Sequence, residues 1–276
     1  MTPEYTEGKY MTEFTAIASE THAHKTWKNV TDYAFIAKDA VTPLVYAELS
    51  KAVLAMPTGF IKREDCYELV SINSLNPGQN LFVGPDGSWL GNYIPSAIQA
   101  YPFKLLKPEG AKDVVLCIDE ASGLVTDSSE AGNDFFDDKN QLTQETKDIV
   151  NHLSYTEAGR AVTQEAVNAL AKAGIVIPWA LSLKEDLDDE FKEVKGFYRV
   201  DEAALNKLDD DVFLALRKVG ALALAHSQLL SMNQIAILER LSMLQGLLLE
   251  RQQTGKPAPD LAGFSLSEDT GSLVFD

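Results

Sequence analysis

The residues of this chain that could do chemistry are few: four histidines, two cysteines and a small set of polar side chains inside apolar runs. His22 and His24 form an H-x-H pair. On a strand that spacing puts both imidazoles on one face and can begin a metal site. Polar flanks and the lack of a nearby carboxylate–histidine pattern argue against a metal there. His152 falls in a helical run beside polar neighbours and is expected at the surface. His226 opens "HSQLLSMNQ", a polar island in an apolar C-terminal helix. Within it Gln228 and Ser231 lie one turn apart on one face. Buried polar groups need partners or cost roughly 1–3 kcal/mol each, so the pair either fixes the helix register or lines a pocket.

Cys66 and Cys117 sit in apolar or β-like runs, outside any C-x-x-C or Cys/His cluster. They read as two buried free thiols of a reducing compartment. The sequence has no G-x-S-x-G, P-loop, G-x-G-x-x-G, H-E-x-x-H or EF-hand pattern. "DDKNQLTQE" shares only acidity with a calcium loop, since it lacks the central glycine and alternating ligands. Neither a cofactor nor a metal is indicated.

The elements that must position these residues divide the chain. Residues 1–28 are polar without a sustained period and read as an arm. "YAFIAKDAVTPLVYAE" reads as two short strands interrupted by Pro43, and "AELSKAVLAM" as a helix with Leu49, Val53 and Met56 on one face, stopped by Pro57. "CYELVSINSL" and "NLFV" read as strands joined at Asn76-Pro77-Gly78, which suits a type II turn. Gly84-Pro85-Asp86-Gly87 is a second turn. "YIPSAIQAY" follows as a short helix, then "FKLL" and "DVVLCIDE" as strands. Residues 121–140 are acidic and turn-rich, a linker or surface loop.

Helical periodicity begins near Thr143, with Ile149, Leu153, Val162, Ala166 and Leu170 on one face and Gly174 as the cap. "WALSLKEDLDDEFKEVKGFYRV" reads as a hairpin with an acidic turn, and Asp201 and Asp209–Asp211 can cap the helices after it. Val212–Glu250 reads as a long helix with an apolar stripe of Leu230, Ile237, Leu241, Leu244 and Leu248. It serves as a core helix, or alternatively as the seam of an oligomer. The fold class expected is α+β: a mostly antiparallel sheet with short helices at 29–120 and a helix-rich part with a hairpin at 141–250, packed as one unit. Residues 251–276 form a linker and tail. There Leu273, Val274 and Phe275 are candidates for docking as an extended segment.

With 24 Lys+Arg against 41 Asp+Glu, the net formal charge is −17 over 276 residues. A field of that sign repels phosphate backbones and anionic lipid, so neither nucleic acid nor membrane insertion is expected, while a protein or peptide partner is. The N-terminus lacks the basic and apolar regions of a secretory signal, and the apolar run Val219–Ala225 is shorter than the roughly 20 residues of a membrane span. A cytoplasmic protein is expected.

The stretch "NLFVGPDGSWLGNYIPSAIQAYPF", Asn80–Phe103, holds five aromatics in 24 residues, against 9% in the whole chain. Phe82, Ile94, Ile98 and Phe103 suit a core. Trp89, Tyr93 and Tyr101 carry polar handles and can line a groove for peptide or sugar, to which Gln228 and Ser231 would add a polar wall. The succession N-L-F, D-G-x-W, Y-I-P and Y-P-F resembles the signature of the bacterial SapC family. "GFYRVDEAALNKL" and the run Gly220–Ser231 resemble its second and third landmarks, in order, from about Trp27 to Leu241. The resemblance implies a bacterial surface-layer association and an accessory role in handling a surface or imported molecule, with no reaction or cofactor to transfer. The chain departs from the pattern twice: Gln99 and Ala100 stand where basic residues are common, and Gln228 where a histidine is usual. An amide keeps a hydrogen bond but is no acid or base near neutral pH.

An accessory or binding protein for a peptide, a protein partner or a surface-polymer precursor is therefore expected. The alternatives are an enzyme with an unfamiliar site built from Asp86, Tyr93, Gln228 and Ser231, and an exported surface-layer component.

Overall fold

The computed structural model describes residues 14–107, 113–127, 132–183 and 192–254. In chain order the elements are β1 (Phe14–Ala16), α1 (Ser19–His22), β2 (Thr26–Trp27), β3 (Val41–Pro43), α2 (Leu49–Ala55), β4 (Thr58–Arg63), β5 (Cys66–Ile72), α3 (Ser96–Gln99), β6 (Phe103–Leu106) and β7 (Val115–Asp119). They continue with β8 (Val125–Thr126), β9 (Asn133–Asp134), α4 (Gln144–Lys172), β10 (Val176–Pro178), β11 (Leu181–Leu183), β12 (Lys192–Val194), β13 (Phe197–Val200), α5 (Glu202–Leu205), α6 (Asp210–Lys218), α7 (Ala221–Ser231) and α8 (Ala236–Thr254). This is the α+β architecture expected, with the long helices in the C-terminal half.

The principal sheet has the order β10-β13-β4-β5-β3, all antiparallel. Its centre is the β4–β5 hairpin, paired from Thr58↔Ser71 to Arg63↔Cys66. Phe60, Leu69, Val70 and Ile72 of that hairpin are almost fully buried. Strands from both halves of the sequence share the sheet, and Phe197 and Val200 of β13 join the same core as Phe60 and Leu69. The two halves are one packed unit for this reason. A smaller sheet, β1-β7-β6, and a ribbon, β8-β2-β9, enclose a second cluster of Trp27, Phe103, Ile118 and Phe135.

Several expectations are corrected. The N-terminal arm is folded from Phe14, because β1 pairs with β7 and β2 brings Trp27 into the second cluster; one buried tryptophan outweighs the polar character of its neighbours. "YAFIAKDAVTPLVYAE" forms only one strand, β3, between two single-turn 3-10 helices at Ala34–Ile36 and Tyr46–Glu48. Pro43, which has no N–H to donate, ends that strand on the sheet's edge. "NLFV" is not a strand but a turn closed by the single bridge Val83↔Trp89. The central strand β4 is the element that the sequence concealed. "TGFIKR" has no alternation because both of its faces are covered as far as Ile61.

On α4, Val162 is 51% exposed, and Thr163 and Val167 take the buried positions instead. Val212–Glu250 is not one helix. Gly220, at φ +75, ends α6 and starts α7, and a 3-10 turn at Met232–Ile235 precedes α8. Leu230 of the expected apolar stripe is 69% exposed, while Ile237, Leu241 and Leu244 are buried. Cys66 is exposed rather than buried, and burial raises the pKa of the Cys117 thiol. The hairpin expected around the acidic turn is present as β11–β12, but its turn lies outside the described residues. So do Leu273, Val274 and Phe275 of the tail.

Candidate functional site

Glu48 is a lone acidic residue in the apolar run "LVYAELSKAVLAM", at the end of the 3-10 turn that leads into α2, and it is only 6% exposed. Its carboxylate is the hub of a buried network. Oε1 accepts from the Val45 amide at 2.8 Å and the Ser96 hydroxyl at 2.9 Å. Oε2 accepts from the Tyr93 hydroxyl and the Ser96 amide, each at 2.7 Å. A carboxylate has about four lone-pair sites, and here four donors fill them. Burial, reinforced by the neighbouring carboxylate, pushes the pKa of the Tyr93 phenol well above its ordinary value. The Tyr-Ile-Pro-Ser segment is thus docked onto Glu48, with Pro95 in the extended geometry that lets Ser96 start α3.

Ser96 also lies on the wall of a cleft of about 360 Å³ between the start of α3, the Pro43–Val45 corner and one face of α4. The face of α4 is held against that corner by the Tyr46 amide, which donates to Thr163 Oγ1 at 2.7 Å. Gly159 lets the helix approach, since a Cβ there would come within 3.3 Å of Val45. His152 of the same helix places Nε2 3.3 Å from the Ser96 carbonyl. The polar lining is already paired. Arg160 lies 3.4 Å from Glu157, Arg63 lies 3.1 Å from Glu68, and the Gln164 amide donates to the Tyr67 carbonyl at 2.9 Å.

The aromatic residues expected to form a groove are placed as follows. The Trp89 indole N–H donates to the Tyr93 carbonyl at 3.0 Å, and the ring stacks on Phe82 with centroids 5.4 Å apart. Tyr101 stacks on Phe35 at 3.9 Å and donates its hydroxyl to Asp119 at 2.9 Å. Tyr33 lies between the two sets, 5.7 Å from Trp89 and 6.4 Å from Phe35. Tyr33, Phe35, Trp89 and Tyr101 are all half-buried, so they make a continuous aromatic ledge with edges open to solvent.

Gln228 and Ser231 lie elsewhere. Both are fully buried, and both hold α7 to the principal sheet through Thr58 and Val200. This is the register-fixing arrangement. His226, at the head of the same polar island, is exposed. Asp86 is bonded to Ser88 within its turn, and that bond holds its carboxyl below the usual range. Asp86, Tyr93 and the Gln228–Ser231 pair therefore make their contacts in three separate places.

His22 is fully buried against the edge of Phe135. Its Nε2 is 3.0 Å from the Glu120 carboxylate, an ion-pair distance without hydrogen-bond alignment, while His24 is exposed. Among the described residues no group of three or more His, Cys, Asp or Glu side chains converges as metal ligands would.

Sequence reasoning missed Glu48, Ser96, Arg160 and the Tyr33–Phe35 half of the ledge. One signal was available: a single carboxylate inside an apolar run must find partners. Apart from the Val45 amide, the partners, Tyr93 and Ser96, lie 45 and 48 residues away and are not legible locally.

The family model described as SapC matches residues 17–238, which include the ledge, the Glu48 network and the cleft. No curated protein and no solved structure matches the chain.

Proposed function

The chain belongs to the SapC family, and from that premise we propose that it is an accessory binding protein that holds a peptide, a protein segment or a surface-polymer precursor without transforming it. The cleft beside Ser96 receives the ligand, and the ledge of Tyr33, Phe35, Trp89 and Tyr101 gives it flat amphipathic surface. With a net charge of −17 the favoured ligand is neutral or basic, and the protein works in the cytoplasm rather than on nucleic acid or in a bilayer.

One observation supports binding over catalysis. The polar groups around the cleft are committed to each other: four donors saturate Glu48, the Ser96 hydroxyl donates to it, and Glu157 and Glu68 face arginines. A general base needs a free lone pair within reach of the proton that it abstracts, and Glu48, the buried carboxylate of this floor, has none left. What remains is a preformed concavity, which is what a binding site needs.

Ala161 lines the cleft on an exposed face of α4, so Ala161→Trp fills the cleft without touching the network. Selection of random peptides on the purified protein should enrich sequences whose binding falls at least about tenfold in Ala161→Trp. Enriched peptides that bind both proteins equally would remove the cleft from the proposal. A peptide cleaved or modified during the selection would replace binding with catalysis.

A further inference from the structure

The α8 helix continues past the residues that match the family model and presents a face that no described part of the chain covers. Gln245 fixes which way the helix is turned, since its amide donates into the fold to the carbonyls of Asn80, Leu81 and Val83. Ile237, Leu238, Leu241 and Leu244 are buried beside it. At 100° per residue the opposite face carries Glu239, Arg240, Met243, Leu247 and Glu250, with Gly246 at its edge. All six are exposed, Met243 by 57% and Leu247 by 38%.

This face is complementary to itself. Measured from Gln245, Met243 and Leu247 lie two residues either side, and Arg240 and Glu250 five. Two copies of α8 laid antiparallel, with their Gln245 residues level, bring Met243 against Leu247 and Arg240 against Glu250. A two-fold axis repeats each contact, because in such an interface residue i meets j and j meets i. Apolar side chains then fill the centre, and opposite charges flank it, as at the seam of paired helices.

Gly246 is a second, independent observation. A glycine inside a helix costs about 1 kcal/mol relative to alanine. Nothing among the described residues accounts for it, since a Cβ at Gly246 would meet no described atom within 4 Å. Beside Met243 and Leu247 the missing side chain leaves room for those of a neighbouring helix.

We infer that α8 is a self-association surface, and that two copies of this chain pair through it antiparallel about Gln245. A single helix seam is small, so the dimer forms and dissociates at roughly micromolar concentration. The inference is independent of what occupies the cleft.

Sedimentation velocity of the full chain from about 1 to 200 µM tests it. The expected result is a shift from the mass of one chain to twice that mass. Met243→Lys should remove the dimer at every concentration while leaving the melting temperature of the exposed helix little changed. Arg240→Glu, and separately Glu250→Arg, should each weaken the dimer about tenfold, since two symmetry-related attractions become repulsions. The double variant Arg240→Glu/Glu250→Arg should restore it, which no loss of folding could imitate. A wild-type chain that stays monomeric overturns the inference. So does a dimer indifferent to these substitutions, or a monomer that floats with neutral phosphatidylcholine vesicles through this face.

Discussion

A single carboxylate organises the part of the molecule that carries the aromatic signature. Glu48 is 6% exposed and accepts from Val45, Tyr93 and Ser96. Removing a buried acceptor leaves its donors unpaired, at about 1–3 kcal/mol for each. Glu48→Ala is therefore expected to cost several kcal/mol and to melt far below the wild type, a severe effect on a domain held by roughly 5–15 kcal/mol. Glu48→Gln keeps one carbonyl oxygen as an acceptor but sets its amide N–H groups against donors, so an intermediate loss is expected. Tyr93→Phe deletes one bond to Oε2 and leaves the other three in place, which should lower stability by about 1 kcal/mol. Urea denaturation of the three variants checks that order. Equal stability of Glu48→Ala and wild type would mean that the network does not hold the signature segment in place.

Among the elements, the β4–β13 pairing has an irregular end that α7 completes. The ladder runs Phe197↔Ile61 and Tyr198↔Phe60. Continued in register it would bring Val200 level with Thr58. The Gln228 carboxamide, built like a peptide unit, enters there instead: its N–H donates to the Thr58 carbonyl at 3.1 Å, and its oxygen accepts from the Val200 amide at 2.9 Å. Ser231 adds a second link, its Oγ accepting from the Thr58 amide at 3.1 Å. One helix face thus supplies the hydrogen bonds that the strands do not make to each other. Gln228→Leu matches the size but orphans a buried N–H and a buried carbonyl, so a loss of about 2–4 kcal/mol is expected. Gln228→Glu keeps the acceptor and loses the donor, and buries a charge. Thermal melts with native-state hydrogen exchange at Val200 check this. Unchanged protection of the Val200 amide in Gln228→Leu would show that the strand pairing does not depend on α7.

The whole molecule carries a net charge of −17, and two effects of pH on it have opposite signs. Repulsion among ordinary carboxylates weakens as they protonate on acidification, which stabilises the compact state. Asp86, Glu120 and Asp137 behave differently. Their pKa values are lowered, chiefly by hydrogen bonds from Ser88, Lys25 and the Gln141 amide respectively. A folded value below the unfolded one adds stability above the unfolded value, about 4, and that stability is lost as pH falls through the folded value. Stability should therefore peak on the acid side of neutrality and fall below about pH 4. Because these groups are well exposed, each contribution is small. The combined variant Asp86→Asn/Glu120→Gln/Asp137→Asn should flatten the acid limb, and at neutral pH it should lack the small stability that these three groups add above about pH 4. Melting temperatures at low salt from pH 3 to 8 test this, and an acid limb as steep in the variant as in wild type would refute it. At the same scale, Ala221–Thr254 is long and apolar enough by composition to cross a bilayer, with 39% of its most apolar window buried inside the fold. Its inner side is core, through Leu224, Ala225, Gln228 and Leu241.

Local chemistry determined a good part of this protein. The turns at Gly78 and Gly87 have the positive φ that their sequences demand, Thr143 and Asp201 cap their helices through side-chain bonds, and β5, β6, β7 and α4 follow from patterns confined to neighbouring residues. The match to the family likewise runs along most of the chain, over residues 17–238. Tertiary structure decided the rest. β4 alternates nothing because it is covered on both faces, and Trp27 draws an otherwise polar N-terminal segment into a small second core. The run from Val212 to Glu250 is broken at Gly220, where φ is +75 and a Cβ would come within 3.3 Å of Tyr46; that neighbour is brought there only by folding. Glu48 and Gln228 show the limit most clearly. The sequence declares that a carboxylate and an amide lie among apolar residues and must be satisfied, but their partners come from segments 45 to 48 and 28 to 170 residues away. Periodicity and turn chemistry act within a few residues, whereas the pairing of buried polar groups is settled only when the core closes around them.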